Sequence, residues 1–169
     1  MKASGLTLWI TLAFSACSSL AVASDWSGYY NNRFQYQIDI PPNFSKIKEA
    51  DNGDGGVATS QDGGAELRVW GSYSIDRSFV DEAKWRIDED RKVGWSVTYE
   101  KRQPAWAAWS GLKGNRIFYE RTIPVCNDAA PDFPSAAAYF RLEYDQGQKE
   151  AFDPIIARLT KSLQSGKCK

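Results

Sequence analysis

The stretch Ala50-Asp51-Asn52-Gly53-Asp54-Gly55-Gly56 sets three oxygen-bearing side chains within four positions, the density at which a calcium loop gathers its ligands. An EF-hand loop needs oxygen ligands at positions 1, 3 and 5, glycine at 6 and glutamate at 12. With Gly55 at position 6, position 1 is Ala50 and position 12 is Gln61; starting at Asp51 instead puts Gly53 at position 3. Neither register works. A metal site of another kind would use Asp51, Asn52 and Asp54. Turn chemistry asks less of the same residues: the glycines accept positive φ, and Asp and Asn side chains bond their own backbone. The stretch therefore reads as a turn feeding a strand, with those three residues as the chain's only metal candidates.

Histidine is absent from the 169 residues. Its absence removes Ser-His-Asp and Cys-His nucleophiles, H-E-x-x-H zinc sites and imidazole acid–base work near neutral pH. Neither G-x-S-x-G nor a phosphate-cradling glycine loop is present. Ser110-Gly111-Leu112-Lys113 matches S-x-x-K but lacks the companion S-D-N and K-T-G motifs, and it reads as part of a hairpin turn. Paired carboxylates of the glycosidase kind depend on separation in space, which spacing along the chain does not disclose. Asp88-Glu89-Asp90 reads as the solvated end of a helix, and Glu120 and Glu143 as outward positions on strands. The expectation is no catalytic residue, no cofactor and no enzyme, with a carboxylate-dependent envelope hydrolase as an alternative.

Aromatic residues make up 14% of the chain, enough to raise the question of a binding platform. Trp70, Trp106 and Trp109 are the candidates for a surface that takes a glycan or peptide. The competing reading is that both faces of a sheet are covered by helices and must be apolar. Basic and acidic residues balance at 21 each, so there is no surplus of cations to neutralise phosphates, and nucleic acid is not an expected partner.

The first residues, with Lys2, an apolar run over 6–14 and Ala21-Val22-Ala23, have the anatomy of a secretory leader cut between Ala23 and Ser24. The run falls short of the ~18 clean apolar residues of a membrane span. Phe14-Ser15-Ala16-Cys17 resembles a lipobox, so lipidation of Cys17 is the alternative, and the only expected route to a membrane. The chain divides into a leader, 1–23, and a single domain, 24–169, that is periplasmic or secreted unless lipid-anchored. Cys126 and Cys168 then form the expected disulfide of an oxidising compartment. Closing that loop of about 43 residues contributes roughly 4 kcal/mol in the chain-entropy account.

The elements that must position these groups follow from periodicity. Phe34, Tyr36, Ile38 and Ile40 alternate with polar residues as a half-buried strand stopped by Pro41-Pro42. A short strand "GGVATS", the turn "QDGG" and "AELRVWGSY" make a hairpin, with Ala65, Leu67, Val69, Gly71 and Tyr73 on one face. Ser78 caps a helix whose apolar set is Val80, Ala83 and Ile87 and which Gly94 ends. Trp95, Val97 and Tyr99 lie on one side of the next strand. A hairpin over "AWAAWS" and "RIFYERTI" follows, then the strand "AAAYFRLEY". The last helix starts with Asp153 as cap and Pro154 in the first turn, and it carries Ile155, Ile156, Leu159 and Leu163. Hairpin-linked strands with two helices predict an α+β domain: one mainly antiparallel sheet with helices packed on its faces.

The segments "RFQYQIDIPPNF", "ADNGDGGVATSQDGGAELRVWG", "GLKGNRIFYERTI" and "FDPIIARLTKSL" resemble exported proteobacterial proteins of unassigned role and, more distantly, the PsbP-like superfamily with its DcrB-type periplasmic members. The resemblance implies an α/β/α sandwich and roles in binding or assembly more than in catalysis. It carries over no catalytic residue, and the histidine metal sites of photosynthetic members have no counterpart here. The function expected is a non-enzymatic binding or accessory module of the periplasm or envelope, with another envelope protein as partner. A calcium- or glycan-binding envelope protein is the alternative.

Overall fold

A computed structural model describes residues 25–126 and 135–167. The expected leader with Cys17 and Ala23, the expected cleavage-site residue Ser24, and Cys168 lie outside the described residues. Five strands come first: β1 (Ser27–Asn31), β2 (Tyr36–Ile40), β3 (Lys48–Glu49), β4 (Gly55–Thr59) and β5 (Glu66–Ser74). Helix α1 (Phe79–Lys92) leads to four more, β6 (Ser96–Gln103), β7 (Trp106–Lys113), β8 (Arg116–Pro124) and β9 (Ser135–Asp145). Helix α2 (Lys149–Ser162) and the short β10 (Gln164–Ser165) close the chain.

Seven strands form one fully antiparallel sheet in the order β3-β4-β5-β9-β8-β7-β6. The expected α+β architecture is present, and the two faces of this sheet are covered differently. On one face the alternation Leu67, Val69 in β5 and Phe140, Leu142, Tyr144 in β9 presents a continuous apolar surface. It is covered by α2, through Phe152, Leu159 and Leu163, and by a second antiparallel sheet, β1-β2-β10, through Tyr36, Ile38 and Ile40. The strand read from its period of two thus belongs to this lid rather than to the main sheet. On the other face α1 packs Ala83 and Ile87 onto Ala107, Trp109 and Phe118.

Local signals account for most boundaries. The Ser78 side chain accepts from the Asp81 backbone N–H at the start of α1, and Gly94, at φ +94°, follows its end. The last helix starts earlier than its sequence suggests. Asp153 is not its cap but pairs with Lys149 across one turn at 2.8 Å, and Pro154 lies inside the helix. The cause is tertiary: Phe152, buried in the first turn, stacks on Tyr144 at 4.5 Å and holds that turn helical. Strand β6 also departs from simple alternation. A bulge between Val97 and Tyr99 turns Tyr99 toward the face opposite Val97, leaving it 43% exposed. Ser110 and Lys113 lie within strand β7 rather than in a turn, and three-residue spacing puts them on opposite faces.

At Gly71 the turn between β1 and β2 presses against β5, because a Cβ there would lie 2.1 Å from Cγ of Phe34. Gly71→Ala should lose about 1–3 kcal/mol of stability by overpacking. Gly28→Ala, whose Cβ would enter open space, should not. Urea denaturation of the two variants checks this; equal stabilities would mean that Phe34 is free to move aside.

Candidate functional site

One row of residues crosses the α1 face of the sheet. Arg68 on β5 opposes Arg141 on β9, Arg141 opposes Glu120 on β8, Glu120 opposes Trp109 on β7, and Trp109 opposes Glu100 on β6. Directly opposed residues of an antiparallel pair share a face, so these side chains stand side by side on the face that α1 partly covers. Arg141 is their hub. Its Nη1 donates to Asp90 Oδ1 and to Glu120 Oε2, both at 2.9 Å, and its Nε donates to Glu143 Oε1 at 2.7 Å. Asp90 comes from the last turns of α1 and also accepts from the indole N–H of Trp109 at 2.7 Å. A second helix-to-sheet pair joins Arg91 to Glu100.

The sequence expectation for these acids needs correcting. Glu120 does not point outward into solvent: its side chain is 4% exposed, and that of Asp90, in the supposedly solvated end of the helix, is 13% exposed. Alternation put Glu120 on the correct side of its strand, but α1 lies over that side. Burial pushes the Glu120 carboxyl up to about 7, against the opposing pull of the Arg141 charge. Burial acting alone would lower Arg141, but the carboxylates of Glu120 and Asp90 outweigh it and hold the guanidinium charged. Removing one partner from a buried ion cluster of this kind typically costs about 3–5 kcal/mol, because the remaining charges lose their compensation.

Beside α1, above this cluster, lies a cleft of about 370 Å³. Trp70 of β5, Trp85 of α1 and Trp95 just beyond α1 line it. Trp70 stacks in parallel on Tyr139 at 5.0 Å, and Trp95 meets Phe118 edge-on at 4.8 Å. The Arg86 guanidinium lies 4.3 Å from the Tyr139 ring centroid and within 6 Å of both Trp70 and Trp85. Arg86 also pairs with Glu82 at 3.1 Å, off the line a hydrogen bond requires. Opposite Trp70 on β4 is Gly55, so no side chain flanks the indole from that strand. Gly55 has φ +154°, and a Cβ would stand 2.0 Å from the Val69 carbonyl oxygen. A larger hollow, about 640 Å³, lies between the outer side of the small sheet and α2. Its charged groups are solvated, with Arg158 50% and Asp39 34% exposed, and it lacks the buried cluster that underlies the cleft beside α1, which is the stronger candidate.

The three tryptophans singled out from sequence do not form one surface. Trp109 is fully buried under Asp90, and Trp106 lies on the opposite face of β7 beside Arg121 and Lys101. Only Trp70 lines the cleft. Its companions Trp85 and Trp95 were missed, although helical periodicity alone sets Trp85 away from Val80, Ala83 and Ile87. Around the glycine loop, the Arg33 guanidinium occupies the position a cation would take. Its Nη1 donates to Asp54 Oδ1 at 2.6 Å and to the Asn52 carbonyl at 2.7 Å. Asn52 Nδ2 donates to Asp54 Oδ2, and Asn31 Nδ2 donates to the Gly53 carbonyl. The loop is a turn tied to the small sheet, and among the described residues no group of three or more Asp, Glu, Cys or His side chains is placed to hold a metal. Cys126 Sγ lies 3.5 Å from the Gly166 carbonyl oxygen.

No family model and no curated protein matches the chain. Among solved structures, it is similar to cyanobacterial PsbP (CyanoP) from Synechocystis sp. PCC 6803, at TM-score 0.58 and 14% identity, over 88% of this chain and 96% of that one. The fold is PsbP-like. At such low identity the likeness concerns backbone architecture only.

Two measurements probe the site. Because Glu120 holds its proton more tightly when folded, the native state gains protons relative to the unfolded chain between the ordinary carboxylate range and about pH 7. The stability tied to this group is full at low pH and is lost as pH rises through that window. Glu120→Gln should flatten that part of the pH profile of urea denaturation; parallel profiles for variant and wild type would contradict the assignment. Millimolar calcium should leave the melting temperature unchanged, since Arg33 already neutralises Asp54, whereas a calcium-dependent rise would reveal a metal site.

Proposed function

We propose that this chain is an exported, non-enzymatic binding or accessory module of the periplasm or cell envelope, and that its contact site is the cleft beside α1. One observation carries the reading. The acids that converge there, Asp90, Glu120 and Glu143, are each hydrogen-bonded by the same arginine. A glycosidase-type mechanism needs one carboxyl free to protonate a leaving group and another free to act on the opposite side of the bond. Here Glu120 and Glu143 compensate Arg141 within the sheet and Asp90 fastens α1 to it, and the groups left to meet a ligand are indoles, guanidiniums and the partly exposed edge of Glu143. The PsbP-like architecture supports a binding or assembly role by analogy of fold alone.

Export rests on the leader, 1–23, and on Cys126 pairing with Cys168 once the chain is in an oxidising compartment. The partner of the module as a whole is another envelope protein. Fusing the leader to a phosphatase that is active only outside the cytoplasm should give an active enzyme, and the mature chain should contain no alkylatable thiol before reduction. An inactive fusion or two free thiols would sink the export reading. Turnover of envelope glycosides or peptides that Glu120→Gln abolishes in a folded protein would sink the non-enzymatic one.

A further inference from the structure

We propose that the cleft beside α1 binds a neutral glycan, a chain of uncharged pyranose rings, an inference that rests on reading this cleft as a binding site. Its charges are answered from within. Arg68 is held by Glu66 at 2.5 Å, Arg86 by Glu82 at 3.1 Å and Glu89 by Lys92 at 2.6 Å, while Arg141 takes three carboxylates. An ionic ligand would have to break these pairs or be desolvated without compensation. The positions from which a cation could face the aromatic rings are filled as well, by Arg86 over Tyr139 and by Arg141 over Phe118 and beside Trp95. Neither an anion nor a cage-bound ammonium is favoured.

A peptide has no purchase on the backbone either. Strand β5, which floors the cleft, is hydrogen-bonded to β4 on one side and to β9 on the other, so no ladder is open for strand addition. What remains is flat apolar area edged by hydrogen-bonding groups. Trp85 is 39% exposed, with the Arg77 guanidinium 5.0 Å from its ring centroid, and Trp70 is unflanked from β4 because its partner there is Gly55. Pyranose rings offer an apolar C–H face to such indoles, and their hydroxyls both donate and accept. Partly exposed Glu143 and Arg68 supply the matching acceptor and donor. The volume, about 370 Å³, lies at the small end of the range for pockets that enclose a ligand.

Titrating the full mature chain with cellohexaose, chitohexaose and maltohexaose, followed by intrinsic tryptophan fluorescence and calorimetry, tests this. At least one hexasaccharide should bind saturably, with little dependence on salt. Trp85→Ala should weaken it about tenfold or more, and Trp106→Ala, on the opposite face, should not. Circular dichroism of each variant confirms that the fold is retained, and Trp85→Phe should restore part of the affinity. No binding of any of the three, or equal loss in Trp85→Ala and Trp106→Ala, overturns the ligand class while leaving the accessory-module reading intact. Binding of an acidic polysaccharide alone, lost on adding salt, overturns it too. Binding accompanied by release of shorter sugars keeps the ligand class and refutes the non-enzymatic reading.

Discussion

The guanidinium of Arg141, standing between the carboxylates of Glu120, Glu143 and Asp90, is the constraint around which the α1 half of the molecule is organised. A buried carboxylate without a partner would be expensive, and so would a buried guanidinium. Opposing them across β8 and β9 offsets both costs within the sheet, only in part for Glu120, whose carboxyl is still pushed up by burial. The remaining hydrogen-bonding capacity of the arginine then reaches upward to Asp90, which makes the position of the helix part of the same electrostatic solution. The indole N–H of Trp109 completes it by donating to Asp90. The end of α1 is therefore located by directional bonds as well as by the apolar contacts of Ala83 and Ile87.

This arrangement explains why the two faces of the sheet differ. The face under α2 and the small sheet is sealed by aliphatic and aromatic side chains with no buried charge among the largest of them. The α1 face combines a small apolar cluster with the ion cluster, and α1 spans only part of its width. The strip of β5 and β9 left beside the helix becomes the cleft. Trp70 and Trp95 are held by Tyr139 and Phe118, so that part of the aromatic surface is set before any ligand arrives, a form of preorganisation that lowers the entropic cost of binding.

The glycine loop shows how a motif can be legible in its chemistry and ambiguous in its purpose. Its spacing excluded an EF-hand, and its glycines and Asx residues described a turn. Only the folded chain brings Arg33 to Asp54 and Asn31 to the Gly53 carbonyl, from residues about 20 positions away in sequence. The same loop delivers Gly55 opposite Trp70, where a side chain would collide with the β5 backbone. Its composition thus serves the hairpin and, through it, one wall of the cleft.

Sequence by itself determined the elements and their type: the alternation of β2 and β5, the Ser78 cap and Gly94 stop of α1, the hairpin of β7 and β8, and the chemistry that a chain without histidine forgoes. Those are local properties, governed by period, capping and turn conformation over a few residues. It also placed Glu120 and Glu143 on one side of their strands, but not what lies over that side, because alternation separates two faces without saying which is covered. The partnership of Arg141 with Asp90 joins residues 51 positions apart. The early start of α2, the bulge that turns Tyr99, and the choice of Trp70, Trp85 and Trp95 over Trp106 and Trp109 all depend on packing between elements. Tertiary structure decided these because burial, unlike periodicity, is a property of what two surfaces do together.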